Sequence, residues 1–205
     1  YVSPNGRQTF LEVYERSMAK DVAHILDNIP HDKLAIQWDV CQEVLVFEDY
    51  YLGRPDNFEQ EIFDQFARLA SWIPEPVELG FHICYGSPGN DHVIRPKDFA
   101  LSVKIANGIA DGVKRKLEFM HMPGTFGAPE ESFFKPLADL KLPPECELYL
   151  GLLFQDDEDG NQARIEMAKK YAPNFGISTV CGWGRANADS LPSLLRCHQA
   201  ALGAG

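Results

Sequence analysis

Glu78-Leu79-Gly80-Phe81-His82-Ile83-Cys84 decides the fold of this 205-residue chain. Pro74 and Pro76 precede the run and Gly86 follows it. Its aromatic, β-branched and small residues predict a strand. Side chains alternate between the two faces of a strand. Leu79, Phe81 and Ile83 therefore share one face, and Gly80, His82 and Cys84 share the other. Leu34 to Asp39 repeats the pattern: Leu34, Ile36 and Trp38 oppose Ala35, Gln37 and Asp39. A parallel strand buried in an open sheet is apolar on both faces. Here one face is large and apolar and the other is small or polar. We expect the large residues to face helices and the small ones to face the inside of a β/α barrel, whose active sites lie at the carboxyl ends of the strands.

Outward from this run the chain alternates helix and strand. Leu11, Tyr14, Met18, Val22 and Ile25 mark one face of a helix over 7–28, closed by Ile29-Pro30. Asn57 with Gln60 is predicted as a capping box opening a helix through Phe58, Ile62, Phe66 and Leu69. Pro96 is predicted to open a helix containing Phe99, Val103, Ile105 and Ile109. Further strands are expected over Leu117–His121, Glu147–Leu153 and Gly176–Cys181. A short helix is expected over Glu131–Leu137, and longer ones over Asn161–Tyr171 and from Ser190 to about Leu202. The result is an α/β chain with five parallel strands, read as about the last five units of a (β/α)8 TIM-type barrel in one domain over 1–205. Five strands do not close such a barrel. The first helix has no strand before it and the first residue is Tyr, so we expect N-terminal strands to be missing, or a second copy to complete the barrel.

Composition limits the function. The chain holds 45% hydrophobic residues, and no apolar run approaches the ~20 residues of a membrane span. A net charge of -11 with no basic stripe argues against nucleic acid and anionic membranes. Five scattered cysteines, an odd number, argue against a disulfide framework and for a reducing, cytoplasmic setting. Cys41, Cys146 and Cys197 are read as small buried hydrophobes.

His82 and Cys84 lean to one side at a strand end, and Cys181 reaches a Gly-rich turn at the end of another strand. An imidazole with two thiolates is a soft donor set that suits zinc, and three protein ligands with one exchangeable position suit catalysis. Either His121 or, from the opposite face, Glu118 is the candidate fourth ligand. The parity is open, because the face shared by Leu117, Phe119 and His121 can point outward. Asp39 is either a turn cap or an inward carboxylate for a substrate ammonium, and Gln37 on its face favours the second. Arg185 is either a surface residue or a clamp for a substrate carboxylate. Asp156 to Asp159 is expected as a solvated acidic loop, with no firm spacing for magnesium.

Ala35-Ile36-Gln37-Trp38-Asp39, Phe81-His82-Ile83-Cys84-Tyr85 and Cys181-Gly182-Trp183-Gly184-Arg185 resemble the C-terminal barrel of cobalamin-independent methionine synthases. The resemblance is closer to short relatives in the wider uroporphyrinogen decarboxylase/methionine synthase-like superfamily. It implies a zinc ion that holds a thiol substrate as thiolate for attack on a methyl or other alkyl group, and so a methyltransferase-like enzyme acting on a small thiol and an alkyl donor. By resemblance, His82, Cys84 and Cys181 match the zinc ligands, His121 falls near the family's glutamate ligand, and Asp39 matches the aspartate that holds the amino group of homocysteine. Two departures point away from methionine synthesis itself. Leu153-Phe154-Gln155-Asp156 offers no histidine, and Tyr85-Gly86-Ser87 lacks an acidic continuation. The alternatives are a metal-free decarboxylase or lyase using Asp39 and Arg185, and a non-catalytic metabolite-binding relative.

Overall fold

The computed structural model describes residues 4–51, 53–87, 92–127 and 130–203; the Arg185 side chain is outside that description. In chain order the elements are α1 (Pro4–Asn28), β1 (Ala35–Val40), α2 (Gln42–Phe47), α3 (Phe58–Ala70), β2 (Glu78–Ile83), α4 (Ala100–Gly112), β3 (Phe119–Pro123), α5 (Glu131–Phe134), β4 (Glu147–Leu153), α6 (Glu158–Lys169), β5 (Gly176–Thr179) and α7 (Leu191–Gly203). The strands form one parallel sheet in the order β1-β2-β3-β4-β5. Helical crossovers between consecutive parallel strands produce this sequential order. No helix among the described residues is long and apolar enough to cross a membrane.

The two-residue period sorts the sheet into an apolar face and a functional face. Leu79, Phe81, Ile83, Met120, Met122, Leu150 and Leu152 are fully buried against the helices. α3 turns Ile62, Phe66 and Leu69 into this core, with the Phe66 ring edge-on to Phe81 at 5.9 Å. Burying each such side chain contributes about 1.5–3 kcal/mol. The opposite face carries Gln37, His82, Phe119, His121, Tyr149 and Ser178, all of which line one cavity. Gly80 and Gly176 belong to this face because the Phe119 and Tyr149 rings lie over them; a Cβ on either would meet a ring carbon at 2.2 or 2.4 Å.

Several boundaries differ from the sequence expectations. β3 begins two residues later than expected, and His121 lies on the cavity face while Met120 and Met122 enter the core. The capping box at Asn57 does not form: Asn57 makes no side-chain cap, and Gln60 donates to Asp64 one turn on instead. The helix expected from Pro96 starts at Ala100, where the Asp98 carboxylate accepts the Ala100 N–H at 2.7 Å. α6 starts three residues early, so Glu158 and Asp159 form its first turn rather than a loop. Negative charge in a first turn is favoured by the unpaired amides and the helix dipole. α2 was not expected at all.

Two buried arginines fix the ends of the sheet. At the amino ends, Arg115 donates to the Ile73, Pro74 and Val77 carbonyls and to Glu118. At the carboxyl ends, Arg164, 1% exposed, donates to the carbonyls of Leu152 and Gly127 and to Asp157 and Asn161. Its guanidinium also lies 4.7 Å from the Phe154 ring centre. The loops after β3 and β4, beside the cavity face, are thereby tied to α6.

Candidate metal centre

Strand register assembles the centre. β1 and β2 pair so that Asp39 lies beside His82, and the Cys84 N–H donates to the Val40 carbonyl at 3.0 Å. β2 and β3 pair His82 with His121. β5 ends at Thr179, and Cys181 follows two residues later. The result is that ligand atoms of His82, Cys84 and Cys181 lie within 4.8 Å of one another. A tetrahedral zinc, at ~2.3 Å from sulfur and ~2.0–2.1 Å from nitrogen, spaces its ligands roughly 3.5–3.8 Å apart. Closing the group onto an ion therefore takes at most about 1 Å of side-chain movement. His82 and Cys84 are buried, and Cys181 is half-buried.

The His82 ring shows which nitrogen is free. Its Nδ1 lies 2.5 Å from His121 Nδ1, with the ring planes 18° apart. Its Nε2 is buried without a hydrogen-bond partner, although His82 touches Cys181. An unpartnered buried nitrogen beside two sulfurs costs free energy unless something fills the gap. A metal ion taking the Nε2 lone pair would fill it, so the residues present fit a zinc site.

That assignment fixes the neighbouring protons. With Nε2 as lone-pair donor, His82 carries its proton on Nδ1 and donates to His121 Nδ1. His121 then carries its proton on Nε2, which lies 2.6 Å from Ser178 Oγ. Burial, reinforced by His82, holds the His121 pKa down at about 3, so its ring is neutral near pH 7. Such an outer partner sets the tautomer and orientation of a metal-binding histidine. Cys84, whose thiol donates to it, and then the adjacent His82 ring hold the Cys181 thiol down at about 3. Cys84 is pushed up because it shares its proton with Cys181 and Cys41.

The structure separates the other sequence candidates. His121 is not in the group of three; it bridges His82 to Ser178. Glu118 lies at the opposite end of the strands, accepting the Leu79 N–H at 2.7 Å and pairing with Arg115 and Lys116. Gln37 and Asp39 are exposed side by side on β1, the Gln37 amide donating to Asp39 at 2.8 Å. Gln37 lines the cavity and Asp39 borders His82 through the register. The Arg185 side chain lies outside the described residues. Asp157 is engaged by Arg164 and Asp156 by the Ser193 hydroxyl, so half of the expected acidic loop is occupied in holding α6 and α7.

Sequence reasoning missed Cys41. Its thiol lies against Cys84 and the Gly86 amide, and it is held down at about 7, chiefly by Cys84. The alternation of Ala35, Gln37 and Asp39 leads up to Cys41, but β1 ends at Val40 and Cys41 opens α2, so strand parity did not extend to it. Ser178, Phe119 and Tyr149 were also missed, although their inward parity follows from the glycines beside them.

The cavity has a volume of about 440 Å³ and reaches from His82, His121 and Cys181 to Phe119 and Tyr149. It therefore offers an apolar floor next to a nitrogen–sulfur cluster.

Comparison with known proteins agrees at the level of fold. The chain is similar to a solved B12-independent methionine synthase from Shewanella sp. W3-18-1, determined in complex with selenomethionine. The TM-score is 0.57 at 14% sequence identity, over 83% of this chain and 48% of that one. This chain thus spans about half the length of the synthase structure. No family model matches the chain, and no curated protein matches its sequence. The likeness shows a methionine-synthase-like α/β fold of the β/α-barrel kind; the His/Cys/Cys cluster that can hold a metal is read from this chain's own geometry.

Proposed function

We propose that this protein transfers a methyl or other alkyl group to a small thiol, with His82, Cys84 and Cys181 as the protein ligands of a zinc ion. The observation that carries the reading is the buried, unpartnered His82 Nε2 beside two cysteine sulfurs that follow the carboxyl ends of β2 and β5. A bound zinc would supply a position where a thiol stays deprotonated at neutral pH, when a free thiol is mostly protonated. The residues around it bind and orient. His121 and Ser178 hold the His82 ring in the tautomer that presents Nε2. Phe119 and Tyr149 give an apolar wall suited to an alkyl group or the carbon chain of the thiol. Asp39, paired with Gln37, offers a carboxylate for a substrate ammonium, and Arg185 is proposed for a substrate carboxylate. The apolar core behind β2 keeps water from the back of the centre. A metal-free decarboxylase makes no use of the cluster and leaves His82 Nε2 unpaired.

The test is thioether formation by zinc-loaded protein from a panel of aminothiols and methyl donors, followed by mass spectrometry. The expected result is a product that Cys84→Ser and Cys181→Ser both abolish along with metal binding. Equal turnover by the metal-free double variant would overturn the reading.

A further inference from the structure

A third sulfur, that of Cys41, adjoins the two of the cluster and has no role in the zinc reading above. The paired register of β1 and β2 runs to Val40 beside Ile83, and Cys41 and Cys84 are the residues that directly follow these two. The Cys84 amide on the Val40 carbonyl locks this alignment. Cys41 Sγ is in hydrogen-bonding contact with the Cys84 thiol and close to the Gly86 amide. It is half-buried and forms no disulfide. Cys41 is not within the tight group of His82, Cys84 and Cys181, but rotation between staggered χ1 wells moves a cysteine sulfur by roughly 3 Å. Among the other candidates, His121 has both ring nitrogens engaged and Glu118 is held by Arg115.

We propose that Cys41 is the fourth protein donor of the centre, giving a Cys3His set when no substrate thiol is present. The proposal rests on the zinc reading above and extends it to the position that reading leaves open. A catalytic zinc site keeps one exchangeable position. A thiolate of the chain in that position matches a substrate thiolate in charge and softness, so exchanging one for the other leaves the charge of the centre unchanged. Substrate thiols then compete with Cys41 for one place.

Cobalt(II) titration of the full chain under anaerobic conditions tests this, because thiolate-to-cobalt charge-transfer absorption rises with each coordinated sulfur. Wild type is expected to show the intensity of three thiolates. In Cys41→Ser and Cys41→Ala the intensity per bound cobalt should fall by about a third, one soft thiolate of three being lost. Cys197→Ser, whose sulfur faces the Phe154 carbonyl, should leave it unchanged. Intensity that is the same in wild type and both Cys41 variants would overturn the proposal and leave the two-cysteine centre standing. A wild-type chain that binds no cobalt would overturn the zinc reading itself. The wild-type intensity counts the sulfurs by itself, so a variant that fails to fold does not remove the test.

Discussion

Replacing His121 by phenylalanine isolates the tautomer argument. Phenylalanine keeps a ring of similar volume on the cavity face and removes both hydrogen bonds, to His82 Nδ1 at 2.5 Å and to Ser178 Oγ at 2.6 Å. In the metal-free variant His82 moves its proton to Nε2, where Cys181 can accept it. Metal binding then requires the proton back on Nδ1, now buried with no acceptor. An orphaned buried donor costs about 1–3 kcal/mol. At about 1.4 kcal/mol per tenfold, the metal Kd should rise roughly 5- to 150-fold, which spans the 10–100-fold typical of lost outer partners of metal ligands. Ser178→Ala should lose less, because it leaves the His121–His82 hydrogen bond in place. Competition with a chromogenic zinc chelator near neutral pH, with circular dichroism as the folding control, measures both. An unchanged Kd in His121→Phe would refute the positioning role. Complete loss of stoichiometric binding in a folded variant would show His121 to be a ligand.

Arg164→Met should destabilise the fold by about 3–5 kcal/mol, because it breaks a buried ion pair and strands several acceptors; urea unfolding checks this, and a loss under about 1 kcal/mol would contradict it. Gly151→Ala places a Cβ 2.7 Å from Val180 Cα and 2.8 Å from the Thr179 carbonyl oxygen. Neither is a flexible side chain, so β4 and β5 must part, at about 1–3 kcal/mol, and zinc affinity should fall as Cys181 leaves the group. Burial pushes Cys146 up from 9.0 to about 12. Its folded pKa is raised, so its contribution is full below pH 9.0 and lost as pH rises towards 12. Stability of the wild type should fall more steeply than that of Cys146→Ala over this window in urea titrations.

The strand period made much of the sheet legible. Alternation in Leu34 to Asp39 sets Gln37 and Asp39 on one face of β1, and alternation in Glu78 to Cys84 sets His82 and Cys84 on one face of β2. The same rule left His121 open, because the face depends on how the strand packs, and the cavity side was decided by Phe119 lying over Gly80 on the neighbouring strand. Glu118 was a candidate only while that face was unassigned. Cys41 was hidden because it lies past the strand end, at the start of a helix too short for periodicity to show; Val44, Leu45 and Val46 carry no helical pattern of their own. Asn57 and Gln60 had capping-box spacing, but Gln60 found Asp64 on its own helix. Local spacing stated what each residue could bond, and tertiary geometry chose among the options.

The most direct test of the central claim is elemental analysis of the purified full chain, with Cys84→Ser run in parallel. About one zinc per chain in the wild type, lost from a folded Cys84→Ser protein, is the expected result, since thiolate ligands hold such an ion. A folded wild-type chain that takes up no zinc under reducing conditions would contradict the account, leaving the cysteines as packing residues.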